Sequence, residues 1–357
     1  MKKLDWYIVR KFVGTFFFAI MILAVIACVI DLSEKLNDFI EHKAPISAVL
    51  NYFKNFIPHI SALLFPLFIF IATIFFTSKL AYKSEIIAIL ASGVSFQRFL
   101  RPYVVGAAFL CVLSYCANHW VVPAANRQRL DFENKYVHGK TFASDRNVHL
   151  RLSNSLYVYV MTYDYPANTG YNFTAEIIKG NKVTEKIYAE RISYDSVKKN
   201  WKLYNVRTRV NDGLKERLKY DEELVCAYPF KPMDLEEDEA VKDALTTPEL
   251  NKYIAREKLR GRETLNFFYI EKHRRTAQPF AGFILTMIGV CIASRKVRGG
   301  SGLHLAIGIV ISALYIMAMQ FTTTFSANTG MSPILAVWIP NIIFGIVAIV
   351  LYLRQVR

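Results

Sequence analysis

The sequence predicts an α-helical polytopic membrane protein of six spans, grouped three and three, with an all-β domain inserted between the halves. Three observations carry that prediction. Six stretches approach the length of about 20 mostly apolar residues that a bilayer requires. A segment the size of an ordinary domain separates the third from the fourth. Much of that segment alternates polar and apolar residues with the period of a strand. Composition agrees, since 53% of the 357 residues are hydrophobic, above the roughly 45–50% of soluble domains even with glycine counted.

The spans are expected at 13–30, 58–77, 103–122, 276–293, 303–325 and 334–353, and none contains Asp, Glu, Lys or Arg. The opening MKKLDWYIVRKF is basic and runs into apolar sequence that no small-residue cleavage site closes, so the first span is read as retained. Basic residues in short loops set the orientation. Lys2, Lys3, Arg10 and Lys11 precede the first span, and Lys79, Lys83, Arg98 and Arg101 lie between the second and third. Arg295, Lys296 and Arg298 follow the fourth, and Arg354 and Arg357 follow the sixth. All fall on one face, which places both termini in the cytoplasm and the large insert on the other side. The formal charge of +15 therefore reads as cytoplasmic loops and headgroup contacts, with no nucleic-acid signature beside it.

The domain plan is 1–123 for the first three spans, 124–246 for the β domain, 247–275 for a helical return segment and 276–357 for the last three spans. Within the insert, SLYVYVMTY (155–163), 173–195 and 200–211 alternate in Tyr, Val, Ile and Thr, broken by the turn-like KGNK (179–182) and KKNW (198–201). Short strands with such turns predict a sandwich or jelly roll. In TTPELNKYIAREKLRGRE, Thr247 is the expected cap, Pro248 the first helical residue and Glu249 the acid at the positive end of the dipole. Cys28, Cys111, Cys116 and Cys291 sit in apolar runs, leaving Cys226 alone in the soluble part. Neither a disulfide framework nor a metal site is expected.

Between the second and third spans lies KSEIIAILASGVSFQR (83–98), which is neither apolar enough to cross nor turn-like. Ile86, Ile87, Leu90 and Val94 fall along one side at helical spacing, with Glu85 in the first turn and Gly93 as a C-cap. Such a helix either covers the bilayer edge or docks into a cytoplasmic motor.

Four stretches together resemble the LptF/LptG permease family: KSEIIAILASGVS (83–95), NHWVVP (118–123), EKHRRTAQPF (271–280) and WIPNIIF (338–344). Their order holds along nearly the whole chain, and the insert adds A-E-x-x-x-Y-D…W-x-L (189–203). The resemblance implies a transmembrane subunit of the ABC transporter that extracts lipopolysaccharide from the inner membrane of a Gram-negative bacterium. It implies a paired permease, with LptF and LptG forming a heterodimer, an LptB-like ATPase dimer, an LptC-like single-span protein and an LptA-like periplasmic bridge. The insert would be a periplasmic β-jellyroll. Glu85 would be the coupling-helix acid that meets the ATPase, within a segment whose Ile86, Ile89, Leu90 and Gly93 complete the coupling surface.

Guanidinium forks match phosphate bidentately, so Arg274 and Arg275 are candidates for lipid A phosphates. Headgroup snorkelling is the alternative for that pair, and Arg127, Arg129 and Lys35 are weaker candidates. Pro66 and Pro340 are expected helix kinks that a gate could use. Trp120 and Trp338 fit an interfacial belt, and His59 and His304 read as helix-end residues. The sequence lacks HExxH, GxSxG and GxxxxGK[ST], and RGGSG (298–302) has no Walker lysine. The chain is read as a transporter subunit without cofactor, with ATP and Mg in the partner ATPase. A secondary transporter would place charges near the midplane. Another envelope ABC system, for lipoprotein release or mechanotransmission, would share the coupling logic without the three-plus-three plan.

Overall fold

The computed structural model describes residues 3–137, 145–153, 155–164, 167–180, 182–196, 198–212, 215–232, 235, 241–260, 265–295 and 301–356. Lys2, Asn181, Lys296, Arg298, Arg357 and the glycines of RGGSG at 299–300 lie outside them. The chain divides into two units: Met1–Phe132 with Lys242–Leu250 and Asn266–Arg357, and Glu133–Val241 with Asn251–Leu265.

The first unit opens with α1 (Lys3–Glu41), α2 (Ile46–Leu63), α3 (Phe65–Tyr82) and the short α4 (Glu85–Ala91). Next come α5 (Phe96–Cys116), a π-helical turn (Ala117–Val121) and α6 (Val122–Tyr136). The return segment holds α7 (Val241–Ala244) and α8 (Thr247–Arg260), and α9 (Leu265–Ala293), α10 (Ser301–Thr329) and α11 (Pro333–Val356) follow. Among the described residues, six helical stretches are long and apolar enough to cross a membrane.

The first of these far outruns its apolar core. α1 has 39 residues, about 58 Å at 1.5 Å per residue, roughly twice the hydrocarbon thickness. Its polar end continues as helix because it has partners. Tyr52 Oη donates to Asp31 Oδ2 at 2.8 Å, Lys35 Nζ lies 2.8 Å from Asp31 Oδ1, and Phe39 packs edge-on against Phe132.

The second span is interrupted at Leu64, with Pro66 in the first turn of α3, where a missing N–H costs little. The expected kink at Pro66 is thus a break between two helices. The Ala62 carbonyl, which Pro66 cannot serve, accepts Gln278 Nε2 from α9. Pro340 lies inside α11.

α3 is apolar all round and buried, as such a helix must be. Phe65, Phe68, Ile69 and Phe76 pack with Phe12, Phe16 and Tyr103, while Phe70 and Ile74 meet Leu285, Ile288 and Tyr315. Close approach of α9 depends on two glycines. A Cβ on Gly282 would sit 2.7 Å from the Phe65 ring, and one on Gly289 would sit 2.9 Å from Thr73 Cγ2.

The second unit holds β1 (Asp145–Arg151), β2 (Leu156–Asp164), β3 (Thr169–Lys179), β4 (Lys182–Asp195), β5 (Asn200–Asp212) and β6 (Lys215–Cys226). They form one antiparallel sheet in sequence order. The jelly-roll-like domain read from the sequence is, in connectivity, a meander in which each strand pairs with its chain neighbours. Gly180 and Lys199 take the left-handed conformations that the turns after β3 and β4 need, at φ 60° and 54°. One face buries Val160, Phe173, Ala189, Trp201 and Leu203. The segment after β6 closes over it, since Trp201 Nε1 donates to Phe230 O at 2.9 Å and the two rings stack.

Candidate functional site

Two places bring the motif residues together. The first is α4, which is fixed at both ends by left-handed residues. Ser84 stands at φ 59° before it, and Gly93 at φ 84° after it. Gly93 N donates to Leu90 O at 3.1 Å, closing the helix as a C-cap glycine should. Ser95 then caps α5 by accepting from Arg98 N.

Ile86, Ile89 and Leu90, expected on the coupling surface, are instead turned into the bundle, where they anchor α4. Ile86 is 1% exposed, and Ile89 and Leu90 pack against the same core as Leu80 and Phe96. Positions 86, 89 and 90 form the i, i+3, i+4 stripe of one helix face. The apolar side expected to include Ile87 is therefore corrected: Ile89 takes that place, and Ile87, 53% exposed, faces outward. Ala88 and Ala91 are exposed with it, and Glu85 is half-buried in the first turn. The helix presents a small outward surface over a buried seat.

The second place is a buried polar node on α9. Arg275 is 3% exposed. Its Nε donates to Glu271 Oε1 at 2.8 Å, Nη1 to Leu245 O at 2.8 Å and to Thr247 Oγ1 at 3.3 Å, and Nη2 to Lys242 O at 2.9 Å. Arg274 lies 2.6 Å from the other Glu271 oxygen and 3.5 Å from Asp243 Oδ1. A buried charge pair is tolerable only when its remaining hydrogen-bonding capacity is met, and here backbone carbonyls of the return segment meet it. Burial, and then the nearby Glu271 charge, raise the pKa of Asp243 above the ordinary carboxylate value.

The same return segment is held from the other side by the NHWVVP stretch. The π-helical turn sets Asn118 and His119 inward, as single π turns often do at functional positions. His119 Nδ1 is 2.7 Å from Thr247 Oγ1, and Asn126 Nδ2 donates to Asp243 O at 3.1 Å. Arg127 lies 2.8 Å from Glu249, whose carboxylate also accepts the Thr246 hydroxyl at 2.7 Å and the Thr246 N–H at 2.9 Å. The Thr246 bonds, with Arg127 behind them, hold Glu249 at about 2. This is a capping box on Thr246, so the expected cap moves by one residue: Thr247 is the first helical position and its hydroxyl serves the node. A cavity of about 40 Å³ remains between His59, Asn118, Asn126, Asp243, Glu271 and Gln278, room for about one water.

All five basic residues chosen from the sequence have partners. Arg127, Arg274 and Arg275 converge on the return segment, and Arg129 Nε reaches Asn126 Oδ1 at 3.4 Å. Lys35 is held in a different cluster by Asp31 and by Tyr52 Oη at 2.6 Å. A phosphate approaching Arg275 would have to displace Glu271, whereas Arg127 and Arg274 keep about half and a third of their side chains open. Sequence reasoning did not assign Asp243, whose partners lie on helices far off in the chain, or Thr246, for which T-x-x-E at 246–249 was the available signal. Among the described residues no group of three His, Cys, Asp or Glu side chains is placed to hold a metal ion.

Comparison with known families matches residues 6–354 to the model described as lipopolysaccharide export system permease LptF/LptG. Comparison with curated proteins returns no match.

Proposed function

The chain belongs to the LptF/LptG family of lipopolysaccharide export permeases, and on that premise we propose that it converts ATP hydrolysis in a separate ATPase into extraction of lipopolysaccharide from the inner membrane. A second permease subunit pairs with it, an LptB-like ATPase dimer docks on the α4 side, and an LptC-like single-span protein joins the gate. The β unit passes lipid to an LptA-like periplasmic bridge. Both termini and α4 are cytoplasmic. Arg127 and Arg274 are the forks open to lipid A phosphates, with Arg275 supporting Arg274 through their shared Glu271. Arg129, and Lys35 in its separate cluster with Asp31, are secondary phosphate contacts.

The observation that carries this reading is the seat of α4. α4 combines a 1% exposed anchor, left-handed residues at both ends and a half-buried acid at its start. The anchor supports a lever, because force applied at Ile87 or Glu85 would pass through Ile86, Ile89 and Leu90 into α3 and α5. The test is affinity purification from the native membrane in mild detergent, wild type beside Glu85→Arg, with circular dichroism to show that both are folded. The ATPase should accompany wild type in stoichiometric amount and be lost from the variant. Equal recovery with both, or with neither, would refute the coupling role.

A further inference from the structure

We infer that the N-terminal turns of α1 form a binding groove for one anionic glycerophospholipid of the adjoining leaflet, the cytoplasmic one in the topology proposed above. The groove measures about 780 Å³, within the roughly 300–1,000 Å³ typical of ligand sites. It is built from Lys3, Trp6, Tyr7, Arg10, Lys11 and Phe18, with Gly14, Thr15 and Phe75 completing its wall.

Helical spacing sorts α1 into two faces here. Ile8, Val9, Phe12 and Phe16 are buried in the bundle together with Asp5, which lies 2.7 Å from Arg98. Every cation of these turns is left on the other face, and among the described residues no acid lines the groove. The order along the helix matches a phospholipid from head to tail. Lys3, Arg10 and Lys11 surround the level of the phosphate. Trp6, 62% exposed, and Tyr7 sit beside them, as amphipathic rings do at the headgroup boundary. Gly14, beside which a Cβ would meet no atom within 4 Å, opens the way to an apolar floor of Phe18 and Phe75.

Charge decides among occupants. A second copy of this chain placed here by a two-fold would set three cations against the same three. A zwitterionic lipid would bring its own ammonium beside its phosphate and so no net charge to offset them. An anionic headgroup gains from each, at about fivefold per cation near a membrane surface.

The experiment is native mass spectrometry of the complete complex released from vesicles of mixed phosphatidylglycerol and phosphatidylethanolamine. Wild type should retain one phosphatidylglycerol per chain, favoured over phosphatidylethanolamine by about tenfold or more. The variant Lys3→Gln/Arg10→Gln/Lys11→Gln should fall to near parity. A control with equal charge loss on the β unit, Lys202→Gln/Lys215→Gln/Lys219→Gln, should keep the preference. Retained preference in the groove variant, equal loss in the control, or capture of a second permease chain by a photo-reactive side chain in place of Tyr7 would overturn the inference. Lipid retention is read independently of ATPase recovery, so failure of the groove and failure of the α4 coupling are told apart.

Discussion

Arg275 Nε lies 2.8 Å from Oε1 of Glu271, one turn earlier on α9, and both residues are closed off from solvent. The pair fastens the return segment through the carbonyls of Lys242 and Leu245. Chain continuity makes that segment the link through which the β unit rejoins the spans.

Removing one partner of a buried pair strands the other, at about 3–5 kcal/mol. Glu271→Ala should therefore lower thermal stability by that order in detergent. Glu271→Met/Arg275→Met should be less damaging than Glu271→Ala alone, because the buried Arg275 charge goes with its partner and the more open Arg274 keeps Asp243. A double variant as unstable as the sum of its singles would mean that the two side chains act independently.

Glu249 titrates at about 2, below its ordinary 4.5, because of its Thr246 bonds and then Arg127. A depressed acid contributes stability that is present above its ordinary pKa and lost as pH falls through the folded value. The stability difference between wild type and Glu249→Gln should hold steady down to about 4.5 and close toward 2. Its size should be small and salt-sensitive, since the carboxylate is well exposed. Thermal unfolding against pH checks this, and a gap that widens on acidification would contradict it.

Gly282→Ala should separate α3 from α9, since the new methyl would meet the Phe65 ring and Cys111 Sγ, the latter at 3.2 Å. Overpacking of this kind costs about 1–3 kcal/mol. Phe65→Leu in the same chain should restore part of the loss, measured by thermal unfolding. No rescue would place the strain elsewhere.

In the β unit, Trp201→Phe keeps an aromatic ring but removes the donor to Phe230 O. The stranded acceptor should cost about 1–3 kcal/mol. The segment 227–232 should become more readily nicked by protease while the sheet survives. Unchanged nicking would show that stacking alone holds the segment.

The spans were legible because apolar length is a property of contiguous sequence. Four strands were legible because β2 to β5 alternate cleanly. β6 was not, since KERLKYDEELVC is a charged edge with little buried side chain. The polar end of α1 was missed because DLSEKLNDFIE reads as loop until Tyr52 supplies Asp31 with a partner. The facing of α4 was half legible: two periodic assignments fit its isoleucines, and packing against Leu80 and Phe96 selects Ile89 over Ile87. The node on α9 was the least legible. EKHRR stood out as a motif, but its partners at 242, 245 and 247 belong to a segment that no periodicity connects to it.

If α4 transmits force from an ATPase, its outward face must touch that ATPase, which site-specific photocrosslinking reads out. A photo-reactive side chain at Ile87, which faces outward, is compared with one at Ile86, which is 1% exposed. An ATPase adduct is expected from position 87 and none from position 86. Lipid adducts alone from position 87 would return α4 to the role of an interfacial connector.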